Sequence, residues 1–106
     1  MRDHRQIEDR SIQLHRAVAE KVRRDPSVLE AARRKVEVWR EDGSVHPRYA
    51  DAWRQVLALS ADEVANRLVD PGETMVALRQ SSPFAGALSP RERWQILRDL
   101  RESSGP

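Results

Sequence analysis

The sequence predicts an all-α fold: a compact bundle of about five to six helices, two long N-terminal ones followed by shorter ones. Helix-start punctuation is the first observation behind this. Asp25-Pro26, Asp70-Pro71 and Ser89-Pro90 each set a capping side chain before a proline. At the first helical position the proline's missing N–H costs nothing. The second is apolar spacing at three and four residues along several stretches. The third is negative: there is no sustained period-two alternation and no Asn-Gly hairpin turn.

The first helix is expected over about 5–24, with Ile7, Leu14, Val18 and Val22 near one face and Ser11 and His15 beside them. The second follows Asp25 and carries Val28/Leu29, Ala32, Val36 and Trp39. Gly43 suits a left-handed C-terminal cap. Val45-His46-Pro47 is a short connection to a third helix over 47–58, which should bury Tyr49, Ala52, Trp53, Val56 and Leu57. Ser60-Ala61-Asp62-Glu63 is a capping box, and Leu59 with Val64 forms a hydrophobic staple across it. Two short helices are expected at 61–69, with Val64, Ala65 and Leu68 inward, and at 71–80, with Met75 and Leu78 inward. After a loop at 81–88, Ser89-Pro90-Arg91-Glu92 is a second capping box. It opens a last helix over 90–101, with Trp94, Leu97 and Leu100 along one side. The chain reads as a single helical domain, 1–106, with 1–6 and 102–106 expected to fray.

Composition narrows the function classes. With 39% hydrophobic and 34% charged residues, the core must be thin, so Trp39, Trp53 and Trp94 should each matter to it. The pI of 9.7 mostly reflects arginine's high pKa, since the net charge is only +2. Residues 1–54 carry 13 Lys/Arg against 10 Asp/Glu, or +3; residues 55–106 carry 6 against 7, or −1. That bias falls well short of a nucleic-acid tail. Cysteine is absent, which removes disulfides, thiolate chemistry and zinc–thiolate sites. No apolar run is long enough for a signal peptide or a membrane span, and a cytoplasmic protein is expected.

Catalytic signatures do not survive inspection. His4, His15 and His46 form no metal-ligand spacing, and there is no glycine-rich phosphate loop. His15 is expected to be partly buried and satisfied by a helix neighbour. Carboxylates such as Glu20 are interleaved with arginines, the pattern of a solvated face. No catalytic, cofactor-binding or metal-binding residue is assigned, and the chain is read as a non-enzyme without a cofactor. Residues 60–80 look like a helix-turn-helix and give the alternative reading, a DNA-binding regulator with operator DNA as its partner. Against it, Asp70 and Glu73 lie at the end of the second helix that should meet DNA, and its only cation, Arg79, lies at the other.

That leaves residues 78–94. Pro83 holds Ser82 extended, Gly86 permits a bend, and Phe84 is the only phenylalanine of the chain. Phe84 either plugs the core or anchors a partner, the plug being the commoner use of a lone aromatic. Arg79, Arg91 and Arg93 flank it, and arginine with aromatics is favoured at protein interfaces. Arg16, Arg23 and Arg24 on the first helix, with Arg33, Arg34 and Lys35 on the second, add basic surface.

Leu14-His15-Arg16-Ala17-Val18-Ala19, the run around Val45-His46-Pro47, and Leu78-Arg79-Gln80 with Ser82-Pro83-Phe84-Ala85-Gly86 through Glu92-Arg93-Trp94 resemble a family of small bacterial proteins. These are antitoxins of type II toxin–antitoxin systems, paired with a nucleotidyltransferase- or zeta-kinase-like toxin. The resemblance implies neutralisation of a cognate toxin protein by tight binding, with its active site covered. An arginine-rich surface would suit the acidic cleft of such an enzyme. Arg79, Phe84, Arg91, Arg93, Arg16, Arg23 and Arg24 are the expected contact residues.

Overall fold

The computed structural model describes residues 4–103, with side chains placed for residues 8–102. Among the described residues there are six helices and no strand: α1 (His4–Arg24), α2 (Pro26–Asp42), α3 (Pro47–Leu57), α4 (Ala61–Leu68), α5 (Glu73–Arg79) and α6 (Pro90–Ser103). The two long helices come first, as the sequence predicts. Residues 4–6 and 102–103, among those expected to fray, are helical. Residues 1–3 and 104–106 lie outside the described residues.

Capping chemistry sets the boundaries. Asp25 alone separates α1 from α2, and its carboxylate accepts the Ser27 N–H at 3.0 Å. Gly43 ends α2 at φ 71°, in the left-handed region, and its N–H donates to the Trp39 carbonyl at 2.9 Å. The His46 ring caps α3 by accepting the Arg48 N–H at 3.1 Å. At α4 the capping box is complete: Ser60 Oγ accepts the Glu63 N–H, and the Glu63 carboxylate accepts the Ser60 N–H. One boundary departs from expectation. The fifth helix starts at Glu73 and not at Pro71, because Asp70 spends its carboxylate on the Gly72 N–H at 2.7 Å in a tight turn.

α1 packs chiefly on α4, and α2 on α3; α5 leans on α3 and α4, while α6 touches α1. One apolar cluster fills the space between them. It contains Val18 and Val22 of α1, Leu29 and Val36 of α2, and Trp53, Val56 and Leu57 of α3, closed by residues of α4 and α5. Trp53 sits at its centre, fully buried, and its indole N–H donates to the Leu78 carbonyl at 3.1 Å. The Phe84 ring meets it edge-on, centroids 6.1 Å apart. Tyr49 is not in this core. It is half out in solvent on the first turn of α3, its ring edge-on to His46.

The 80–89 segment is fastened by side chains from the two long helices. His15 Nδ1 donates to the Ser11 carbonyl at 2.8 Å, leaving Nε2 to accept from the Ser82 hydroxyl at 2.9 Å. The Ser82 oxygen accepts the Phe84 N–H at 3.2 Å. Lys21 donates to the Ala87 carbonyl at 3.0 Å, and Gly86 turns the chain between them at φ 91°. Burial lowers the His15 pKa below its ordinary 6.5, and the nearby Arg79 charge lowers it further; the Ser11 carbonyl and Glu8 act the other way.

Candidate protein-docking surface

Helix α6 begins with the second capping box, as expected: Ser89 Oγ accepts the Glu92 N–H at 3.1 Å and the Glu92 carboxylate accepts the Ser89 N–H at 2.9 Å. The same carboxylate receives Lys21 Nζ at 2.6 Å, which ties the start of α6 to α1. That lysine hydrogen bond, helped by the Ser89 N–H, holds the Glu92 carboxyl down at about 2.

Beyond this fastening α6 is shallowly seated. Ile96, Leu97 and Leu100 are half-buried on α1, and no α6 residue reaches the buried core. Trp94 departs from expectation: it is 55% exposed and contributes nothing to that core. The reason is topological. α6 has α1 as its main neighbour, and Trp94 lines a groove beside Asp9 and Arg10 of α1 instead of reaching the core. The Arg98 guanidinium lies over the indole, 5.3 Å from the ring centroid. Around them opens a groove of about 510 Å³ between α1 and α6, lined by Asp9, Arg10, Trp94, Leu97, Arg98 and Arg101. A large aromatic between arginines, on the surface, is the composition of a protein-binding hot spot.

The arginines named from the sequence separate. Arg91 and Arg93 are exposed on α6 beside Trp94, with no carboxylate partner among the described residues. Arg16 and Arg24 are exposed on α1. Arg23 turns to α4, where it meets Asp62 at 3.3 Å and Asn66 at 2.7 Å. Arg79 and Phe84 are interior, at 4% and 5% exposure. Phe84 is therefore the core plug of the two uses open to it. The Arg79 guanidinium spans three places at once: the Leu68 carbonyl at 3.1 Å, the Asp70 carbonyl at 2.8 Å and the Glu8 carboxylate. It closes the C-terminal end of α4 and ties it to α1. With the Arg79 side chain turned inward, the exposed residues of α5 are Glu73, Thr74 and Ala77, which present a carboxylate and no cation to a phosphate backbone.

Sequence reasoning missed Arg10 and Arg98 as companions of Trp94. The i, i+4 spacing of Trp94 and Arg98 was the available signal. Arg10 had none, since its place depends on how α6 crosses α1. No family model, curated protein or solved structure matches the chain.

Proposed function

We propose that this chain is an antitoxin-like interaction protein that binds a cognate toxin enzyme and neutralises it by covering its active site, with the α6 surface as the contact. The observation that carries the reading is Trp94, a large aromatic left exposed beside Arg98 at the groove between α6 and α1. A protein surface seldom leaves such a residue uncovered beside arginines without a partner to desolvate it. Arg91 and Arg93 give the surface a cationic rim, suited to an acidic metal- and nucleotide-binding cleft, while Arg98 is paired with Glu102 at 3.1 Å. The resemblance of the 14–19 and 78–94 motifs to type II antitoxins supplies the partner class.

The test is co-expression with the product of the neighbouring coding sequence, which the reading requires to be an enzyme toxic when expressed alone. The wild-type chain should rescue growth from that enzyme and co-purify with it. A double variant, Trp94→Ala with Arg98→Glu, should keep its circular dichroism and melting temperature yet lose both. If the neighbouring enzyme is harmless when expressed alone, or the double variant still rescues, the reading is wrong.

A further inference from the structure

The outer face of α2 has features that neither the core nor the α6 surface uses. Val38 is 52% exposed although it belongs to the helix that supplies Leu29, Ala32 and Val36 to the core. It stands on a ridge between two grooves. One, of about 590 Å³, runs between α2 and the end of α3 and is walled by Val38, Arg54, Leu57 and Ala58. The other, of about 390 Å³, runs between α2 and the 83–87 loop and is walled by Ala31, Val38, Pro83 and Ala85. Arg34 and Val38 line both.

The charged residues lining the pair are one-sided: Arg33, Arg34, Lys35 and Arg54 against Glu37 alone. Arg33 is held in place by the carbonyls of Leu57 at 2.7 Å and Leu59 at 3.4 Å. Glu37 is already taken up by Arg40 at 3.0 Å and Arg54 at 3.5 Å. Arg34 has no acceptor among the described residues. The result is an apolar ridge with a pre-set cationic rim.

We infer that this α2 face is a docking site for an acidic amphipathic helix of another protein, apolar residues seated along Val38 and carboxylates meeting Arg34 and its neighbours. Charge complementarity selects this occupant. A second copy of the chain would bring the same cationic patch against itself, since a two-fold interface pairs like surface with like. A nucleic acid would find a valine and alanine ridge between the cations and no exposed ring for a base to stack on, Phe84 being buried. A helix in a groove, read through spaced apolar anchors, is a common recognition mode, and acidic flanks would set its register. The site lies apart from Trp94 and does not depend on the α6 reading.

The experiment is a selection on the full chain from a displayed library of helical peptides. Leucine is fixed at i, i+3 or i+4 and i+7, and the flanking positions are randomised among Glu, Lys and Ser. Enrichment of Glu flanks is expected. Against the selected peptides, Val38→Asp should weaken binding by about tenfold or more while melting unchanged. Arg34→Glu should move the enrichment away from Glu, and Trp94→Ala should leave it as it is. Failure to enrich any helix, enrichment of Lys or Ser flanks, or equal binding by Val38→Asp each overturns the proposal. So does sedimentation showing a dimer that Val38→Asp dissolves, which would make the occupant a second copy.

Discussion

Trp53 and Trp94 are the same residue on two helices of similar length, and their surroundings are opposite. Trp53 is surrounded by α2, α4 and α5 as well as by the 80–89 loop, its indole N–H satisfied by a backbone carbonyl and its ring against Phe84. Trp94 lies on a helix whose main neighbour is α1, and its ring has Arg98 for company. The difference lies in how many elements can reach each position. α3 packs against α2, α4 and α5, whereas α6 has α1 as its one main neighbour. The α3 region therefore holds the chain together, and the α6 region is available for something else.

Substitutions can break this contrast, starting with the largest loss of stability. Trp53→Ala should remove about 3–5 kcal/mol, enough to unfold a marginal domain of this size, measured by urea denaturation. Phe84→Ala should cost somewhat less, about 3 kcal/mol. Once its lower stability is allowed for, its binding to the proposed toxin partner should be normal. Loss of binding by a still-folded Phe84→Ala would return that ring to the interface. Arg79→Met should cost about 2–3 kcal/mol, because the Leu68 and Asp70 carbonyls and the Glu8 carboxylate all lose a charged donor.

The His15 contribution is smaller and depends on pH. Its folded-state pKa is lowered, chiefly by burial, so below 6.5 the unfolded chain binds a proton that the folded chain resists. Stability should be level with respect to this group above about pH 7. It should fall as pH drops through 6.5 toward the folded value. Denaturation curves at pH 7.5 and pH 5.5 should show the fall, and His15→Gln should flatten it. Glu92 shifts the same way at lower pH. Its folded value of about 2 means the link to Lys21 is present at neutral pH and lost only in strong acid. Smallest of all is Trp94→Ala, which should change stability by no more than about 0.5 kcal/mol. Its effect should fall almost wholly on binding. A large drop in melting temperature for Trp94→Ala would erase the distinction between the two tryptophans.

The sequence carried most of the helix boundaries because caps are local. Asp25-Pro26, Gly43 and the Ser60 and Ser89 boxes work through hydrogen bonds within four residues of themselves, and each performs the expected task. Trp94 and Tyr49 were misplaced because periodicity shows which residues share a face and not whether another helix arrives to cover it. The role of Arg79 was illegible for a related reason: its carboxylate partner is 71 residues away in sequence. Val38 was visible as an apolar residue off the α2 stripe, but its exposed ridge exists only once the end of α3 and the 83–87 loop are in place.

The long-range stitches have a consequence in time. Glu8 meets Arg79 and Lys21 meets Glu92, each pair separated by 71 residues. During synthesis at about 5–20 residues per second, α1 waits roughly 4–14 s for those partners to emerge. Leu14, Val18 and Val22 gain the cover of α4 only once residues 61–68 exist. α1 is thus made well before the helix that buries it, and a ribosome stalled before residue 61 would carry a chain with an open apolar face.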